Sequence, residues 1–283
     1  MPDRQRHVCF NEQAHDAVSG AYEERHSEIF NPIEQDRLHE SLREAIQAVR
    51  TISDPRVALD YGCGSGNVTA HLIDLGLHTT SADVSQAFLD LIGGRFGPTG
   101  RSRTLKVNGT DLAGVPDGAF DFVATYSVLH HVPDYLAMVR ELCRVIKPGG
   151  VLYIDHEVNE FYWSRPAEYI AFLKAARPRI DVQRCFRLAF DVKGYKHIFR
   201  RLFNPRYKRE GDIHVWPDDH IEWDKIEDVL CMYGFEIVFR HDYLLYRSLY
   251  KRHVYEGYRG RCTDQRVLVA RRSLAPSVAL GSL

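Results

Sequence analysis

The sequence predicts an α/β fold: a doubly wound, mostly parallel seven-stranded sheet with helices on both faces, an N-terminal helical cap and a helical insertion after strand five. Three observations predict it. Between residues 56 and 157, short apolar β-type runs alternate with helical stretches, the pattern of successive βαβ units. The first run ends in a glycine-rich turn leading directly into an amphipathic segment, and the second ends in an acidic residue, Asp83. The alternation stops after about residue 157 and resumes with one helix and two strands near the C-terminus.

In chain order, residues 11–50 read as two helical pieces broken near Asn31-Pro32. Ala17, Ala21 and Tyr22, then Leu38, Leu42, Ile46 and Val49, recur there at helical spacing. Residues 56–60 form the first strand and 67–75 the helix after it. A second strand covers 78–82, and Ser85 caps a helix running to about Gly93. Residues 103–107 are a weak third strand and 120–125 a fourth. A helix begins at Pro133 or Asp134 and runs through Ile146, where Lys147-Pro148-Gly149-Gly150 stops it. Residues 151–155 are the fifth strand. Residues 161–221 are rich in aromatic and basic side chains, with no evident strand. A helix over 223–233 and strands over 234–239 and 265–270 complete the sheet, and the last ten or so residues read as a loose tail. The organisation expected is a cap over 1–50, a core over 51–160, an insertion over 161–223, completion of the sheet over 224–272 and a tail over 273–283.

Composition removes several classes. With 283 residues, 45% hydrophobic and 27% charged, the chain is unlike a disordered one. No stretch approaches the ~20 apolar residues of a membrane-spanning helix, and the charges of Met1 to Arg6 lead into no apolar run of secretory type. Six cysteines lie far apart with no Cys-x-x-Cys pair, which argues against a zinc ribbon or disulfide framework and suits a reducing cytosol. Charge is divided unevenly. Residues 1–160 carry 14 basic and 23 acidic side chains, whereas residues 161–283 carry 23 basic and 15 acidic.

The strongest local signal is Asp60-Tyr61-Gly62-Cys63-Gly64-Ser65-Gly66, between the first strand and its helix. Glycines there allow positive φ and close approach of a ligand to the backbone, and the helix start offers unpaired N–H groups. Asp83, at the end of the next strand, is placed to bind the hydroxyls of a ribose. The spacing departs from the dinucleotide fingerprint, since Asn67 stands where its third Gly would be. Asp60, just before the turn, would repel a pyrophosphate but suits an ammonium or sulfonium ligand such as S-adenosylmethionine.

With these segments the chain resembles the class I S-adenosylmethionine-dependent methyltransferases, particularly the small-molecule type of quinone and natural-product pathways. The matching pieces are residues 57–66, Asp83, residues 117–123, Val128-Leu129-His130-His131-Val132-Pro133-Asp134 and residues 144–152. The resemblance covers roughly residues 55–157, with a strand pair near 234–270. It implies a Rossmann-like methyltransferase fold in which Asp60, Gly62, Cys63, Gly64 and Gly66 hold the methionine part of the cofactor. Asp83 then binds the ribose and Val84 lies against the adenine; apart from the resemblance, Tyr126 after strand four is a further cofactor-binding candidate, and the N-terminal helices around Tyr22 are expected to close the other side of the cofactor. The family often has Gly-Asp-Ala before its fourth strand; this chain has Asn108-Gly109-Thr110-Asp111-Leu112. Either Asp111 serves after a small loop shift, or Thr110 does so through its hydroxyl or backbone.

Methyl transfer from a sulfonium is an in-line displacement, helped by positioning and exclusion of water; a base is needed only when the nucleophile must lose a proton. His131 is the first candidate for that base and His156 the second, since histidine titrates near neutrality. The alternative is that one of the pair His130-His131 packs behind the cofactor. The segment lacks the Asn/Asp-Pro-Pro-aromatic pattern of enzymes that methylate nucleic-acid bases. His130, Asp155, Glu157, His214, Trp216 and His220 are substrate-binding candidates. His156, His214 and His220 are metal-ligand types, but their spacings match no ligand motif, so no metal is expected. Asp219 is a candidate cap for the helix that follows.

From Arg184 to Arg209 there are nine Lys/Arg against one acidic residue, interleaved with Phe186, Phe190, Tyr195, Phe199 and Phe203. Three readings stand: an amphipathic cap helix, a lid for an anionic or lipid-like substrate with peripheral membrane contact, or a nucleic-acid face that the overall charge does not favour. The sequence as a whole thus predicts a cytoplasmic S-adenosylmethionine-dependent methyltransferase acting on oxygen of a small-molecule acceptor, with no nucleic-acid partner. Its rivals are an enzyme of the same fold doing non-methylating chemistry and a non-catalytic binding protein.

Overall fold

A computed structural model of the chain describes residues 2–16, 22–176 and 211–274. The basic segment from Arg184 to Arg209 lies outside the described residues. A seven-stranded sheet has the order β3-β2-β1-β4-β5-β9-β8. Its strands are β1 (Val57–Tyr61), β2 (His78–Asp83), β3 (Ser102–Lys106), β4 (Phe120–Tyr126), β5 (Ile146–Val158), β8 (Phe235–Tyr243) and β9 (Gln265–Arg272). The pairs among β1 to β5 are parallel, and β9 is antiparallel to both neighbours. The order reverses beside β1, so a crevice opens at the carboxyl ends of β1 and β4, where open α/β sheets bind ligands.

Ten helices cover or flank this sheet among the described residues. They are α1 (Pro2–Asp16), α2 (Tyr22–Arg25), α3 (Pro32–Gln47), α4 (Asn67–Asp74), α5 (Gln86–Phe96), α6 (Tyr135–Val145), α7 (Glu160–Ser164), α8 (Ala167–Ala176), α9 (Trp223–Met232) and α10 (Arg252–Tyr258). Strand β4 is buried at every residue, as a central strand covered on both faces must be. Val123, Leu152 and Leu268 pack under Met138 and Leu142 of α6 and Ile226 and Leu230 of α9. On the other face Phe122, Tyr153 and Val269 pack against Leu38 and Leu42 of α3 and Val68 and Leu72 of α4.

Local signals placed most boundaries. Asn31 caps α3 by accepting from the Glu34 amide at 3.1 Å, Ser85 caps α5 from Phe88 at 3.2 Å, and Asp134 caps α6 from Ala137 at 3.0 Å. Several expectations need correction. Helix α1 begins at Pro2, well before residue 11. Lys147-Pro148-Gly149-Gly150 is no separate stop after a helix through Ile146. Helix α6 ends at Val145, and the four residues form the irregular start of a strand that runs on to Val158. Gly150 is needed there, because a Cβ would sit 2.9 Å from the Asp121 carbonyl oxygen. Within the expected insertion the described parts are α7, α8 and a small hairpin, β6 (Val215–Trp216) with β7 (Asp219–His220). Asp219 does not cap α9. Its carboxylate meets His214 Nδ1 at 2.5 Å, and the cap residue is Glu222.

Candidate active site

The glycine turn leaves β1 with Gly62, Gly64 and Gly66 all at positive φ, +73°, +48° and +90°. A Cβ on Gly62 would lie 2.4 Å from Val128 Cγ2, and one on Gly66 2.7 Å from the Phe96 ring, so both are fixed by packing as well as by φ. Gly64 faces open space, with Tyr22 Cε1 the nearest atom at 4.0 Å. The turn is pinned to β2: the Gly64 amide donates to Asp83 Oδ2 at 2.9 Å, and the Ser85 amide to Oδ1 at 2.8 Å. Burial raises the Asp83 pKa, and these amides work against that rise.

Two cavities border this turn, and a third adjoins the first of them. A cleft of about 680 Å³ is lined by Tyr22, Gly62, Gly64, Asp83, Val84, Phe88, Gly109, Tyr126, Ser127 and His131, among others. A niche of about 340 Å³ beneath the turn is lined by Asp60, Cys63, Ser65 and Asn67, again with Tyr22, Tyr126 and Ser127. A third cavity, of about 840 Å³, holds His26, Glu28, His130, His131, His156, Glu157, Asp212, His214 and Arg247. The first and third share Tyr22, Ser127 and His131. Ser127 sits at that junction with φ +60°, its amide donating to the Asp155 carbonyl at 3.0 Å. A non-glycine residue held in the left-handed region at a cavity junction is the kind of strain that surrounding structure sustains at functional sites.

Asp60 lies at the floor of the niche, accepting a 2.7 Å bond from Thr69 Oγ1. Burial, with Asp83 nearby, lifts its pKa to about 7 against the bond from Thr69. A cation entering the niche would restore its charge. Ser65 Oγ and Asn67 Nδ2 are buried there without a hydrogen-bond partner. A cleft with apolar walls, an acidic side chain at the β2 end and a second acid under a glycine turn fits an adenosyl group joined to a cationic amino-acid chain.

The histidine pair lies on a turn after β4. His130 Nδ1 donates to Glu157 Oε2 at 2.9 Å, while Glu157 Oε1 accepts from the amides of Val128 (3.0 Å) and Leu129 (2.8 Å). His131 is edge-on to His15, with centroids 5.4 Å apart. Burial, reinforced by His130 and His15, holds His131 well below the usual histidine pKa, so its ring is neutral at pH 7. His156 stacks on Tyr126 at 4.8 Å, and burial pushes its pKa down to about 3.

Other predicted residues sit elsewhere. Asp155 lines none of these cavities. It is fully buried, accepting from Tyr153 Oη (2.6 Å), Tyr243 Oη (2.9 Å) and the His156 amide (2.6 Å), and it is paired with Arg37 at 3.1 Å. It is a structural anchor between β5, β8 and α3. Thr110 and Asp111 do not line the cleft; Asp111 is tied to the Ala113 amide and to Asn108, and Gly109 is the loop's lining residue. Gly66 shapes the turn without lining any of these three cavities. Trp216 and His220 belong to the β6–β7 hairpin, and His220 lies against Trp163 at 5.0 Å. Sequence reading missed Asn11, His15, His26, Ser127, Asp212 and Arg247. Ser127 follows β4 beside the His130-His131 segment but carries no chemical signal of its own, and no motif marks the others, because α1, α2 and the segments after residue 210 reach the site only through tertiary packing.

Fold and cleft together define an α/β protein built to hold an adenosyl cofactor with a cationic amino-acid tail. The methyltransferase domain family matches residues 59–154. A demethylmenaquinone methyltransferase of Staphylococcus saprophyticus is 29% identical over 214 residues, 72% of this chain and 78% of that protein. A ubiquinone biosynthesis O-methyltransferase of Xanthomonas campestris is 32% identical over 98 residues, 34% of this chain and 41% of its own. In fold, the chain is similar to an S-adenosylmethionine-dependent methyltransferase from Mesorhizobium loti, with TM-score 0.52, 18% identity and coverage of 81% and 96%. Residues 59–154 thus form a methyltransferase domain, the chain is similar to class I S-adenosylmethionine-dependent methyltransferases, and S-adenosylmethionine is its cofactor. No helix among the described residues is long and apolar enough to cross a membrane.

Proposed function

We propose that the protein methylates an oxygen of a small-molecule acceptor bound in the third cavity. The observation that carries this reading is the junction of that cavity with the cofactor cleft at Tyr22, Ser127 and His131. The cofactor, when bound, supplies an activated methyl on a sulfonium. Asp83 and Val84 hold its nucleoside end; Asp60, Cys63 and the Gly62–Gly64 backbone hold its amino-acid end. Tyr22 closes the cleft from the N-terminal helices, which also bring Asn11 and His15 to it. The cap over residues 1–50 thereby shapes the pocket, and residues 211–215 contribute to the acceptor side.

His131 stands where the two cavities meet and is the first candidate to accept the proton of an acceptor hydroxyl; His156, which lines the same cavity, is the second. His130, Glu157 and His214 line the same cavity and contact the acceptor. Arg247 is a cation among the acids Glu28, Glu157 and Asp212 of this cavity, and the ubiquinone-pathway relative, named as an O-methyltransferase, supports an oxygen nucleophile.

The test has two stages. S-adenosylmethionine should raise the melting temperature, and Asp83→Ala should remove most of that rise. A panel of hydroxylated aromatic acids and hydroquinones, with methyl-labelled cofactor, should then yield O-methylated product that His131→Ala depresses. Cofactor binding with transfer confined to nitrogen or carbon acceptors would overturn the oxygen assignment.

A further inference from the structure

We infer that the acceptor cavity contains a binding site for a divalent first-row metal ion, formed by His130, His131 and Asp212. This rests on the reading of the third cavity as the acceptor site. Among the described residues, one ring nitrogen of each histidine and one oxygen of Asp212 lie within 4.8 Å of one another. His131 Nδ1 and Asp212 Oδ1 are 3.5 Å apart, too long for a good hydrogen bond. It is close to the ~3.4 Å that separates two ligands held ~2.1 Å from a tetrahedral ion. His131 Nδ1 is buried and makes no hydrogen bond.

The groups are positioned by backbone. The amides of Ile213 and His214 both donate to the His130 carbonyl, at 3.0 and 3.1 Å, so the loop carrying Asp212 is fastened to the histidine turn. Asn11 Nδ2 donates to the His131 carbonyl at 3.1 Å from the other side. Glu157 supplies the outer-shell partner that metal-bound histidines usually have, taking the Nδ1–H of His130 so that this residue ligates through Nε2. His214 is no ligand, since Asp219 and the Val132 carbonyl engage its two nitrogens at 2.5 and 3.0 Å. Two imidazoles and one carboxylate suit Zn²⁺, Co²⁺, Ni²⁺ or Fe²⁺ better than Mg²⁺, and three protein ligands leave a position open toward the cavity.

The open position would take the acceptor oxygen. Its O–H bond breaks, the proton passes to water in the cavity, and the oxygen stays on the ion as an anion. The ion then does the work otherwise assigned to His131.

The experiment uses the tag-free, chelator-treated full chain. Zn²⁺ is titrated by calorimetry and Co²⁺ by visible absorption, each without acceptor. One equivalent per chain should bind, with a tetrahedral or five-coordinate Co²⁺ spectrum. Asp212→Asn and His131→Ala should lose the site, Glu157→Gln should weaken it 10- to 100-fold, and His220→Ala should leave it unchanged. The cofactor-induced melting shift, measured on each variant, shows that the fold and the cofactor cleft persist. Absence of stoichiometric binding in the wild type, or undiminished binding in Asp212→Asn, overturns the metal site. If cofactor binding is intact when metal binding fails, only this inference falls.

Discussion

Replacing Asp60 by Asn should change stability and cofactor affinity in opposite directions. Asp60 is 1% exposed and is bonded by Thr69, through the hydroxyl at 2.7 Å and the backbone amide, with no cation beside it among the described residues. Its pKa of about 7, against an ordinary 3.8, corresponds to about 4 kcal/mol against the ionised form in the cofactor-free protein. The folded state holds the proton more tightly than the unfolded chain. The stability this gives is therefore complete below pH 4 and lost as pH rises toward 7. At pH 8 the wild type carries a buried, uncompensated carboxylate, which Asn removes. Asn in turn buries an amide, so the net gain is about 2 kcal/mol, or roughly 4–8 °C in melting temperature. Near pH 5 the gain should largely vanish. With the cofactor the sign reverses. Loss of a charge-assisted contact of about 1.5–3 kcal/mol should weaken binding roughly 10- to 100-fold at pH 8. Melting curves at pH 5 and 8 with calorimetric titration of S-adenosylmethionine measure both quantities. A variant less stable than wild type at pH 8, or one that binds the cofactor equally well, would refute the reasoning.

Two glycines of the turn should separate fold from site. Gly64→Ala meets nothing nearer than Tyr22 Cε1 at 4.0 Å, so it should cost about 1 kcal/mol for its φ of +48° yet abolish the cofactor-induced melting shift. Gly62→Ala, whose methyl would strike Val128, should lower the melting temperature of the free protein by clearly more. Arg37→Ala should destabilise by about 3–5 kcal/mol in denaturant titration, because it strands Asp155 and Glu34 in the interior. Arg37→Lys should recover only part of this, since one ammonium cannot span both carboxylates as the guanidinium does.

Where the chemistry is local, the sequence is informative. The strand–turn–helix around Gly62 to Gly66 is legible because each glycine answers a backbone demand within a few residues. Asp83 is legible because it ends a strand adjacent to β1, and Asn31, Ser85 and Asp134 because a cap bonds only three residues ahead. The acceptor side is different. His130 and His131 stand out in the sequence, but their partners do not. Glu157 reaches them through the pairing of β4 with β5, and Asp212 through backbone bonds across more than eighty residues.

Asp155 marks the limit most clearly. From sequence it is an acid at the reactive end of a strand; in the fold it faces α3 and anchors Arg37 and two tyrosines. Two residues further on, Glu157 faces the cavity because β5 breaks register between Ile154 and Glu157, with His156 at φ +62°. Sequence by itself determined the α/β fold, the cofactor turn and the cofactor's charge, all written in short-range spacing and alternation. Only the tertiary structure decided which acids and histidines share the acceptor cavity, because that depends on one bulge and on a loop docked from a distant part of the chain.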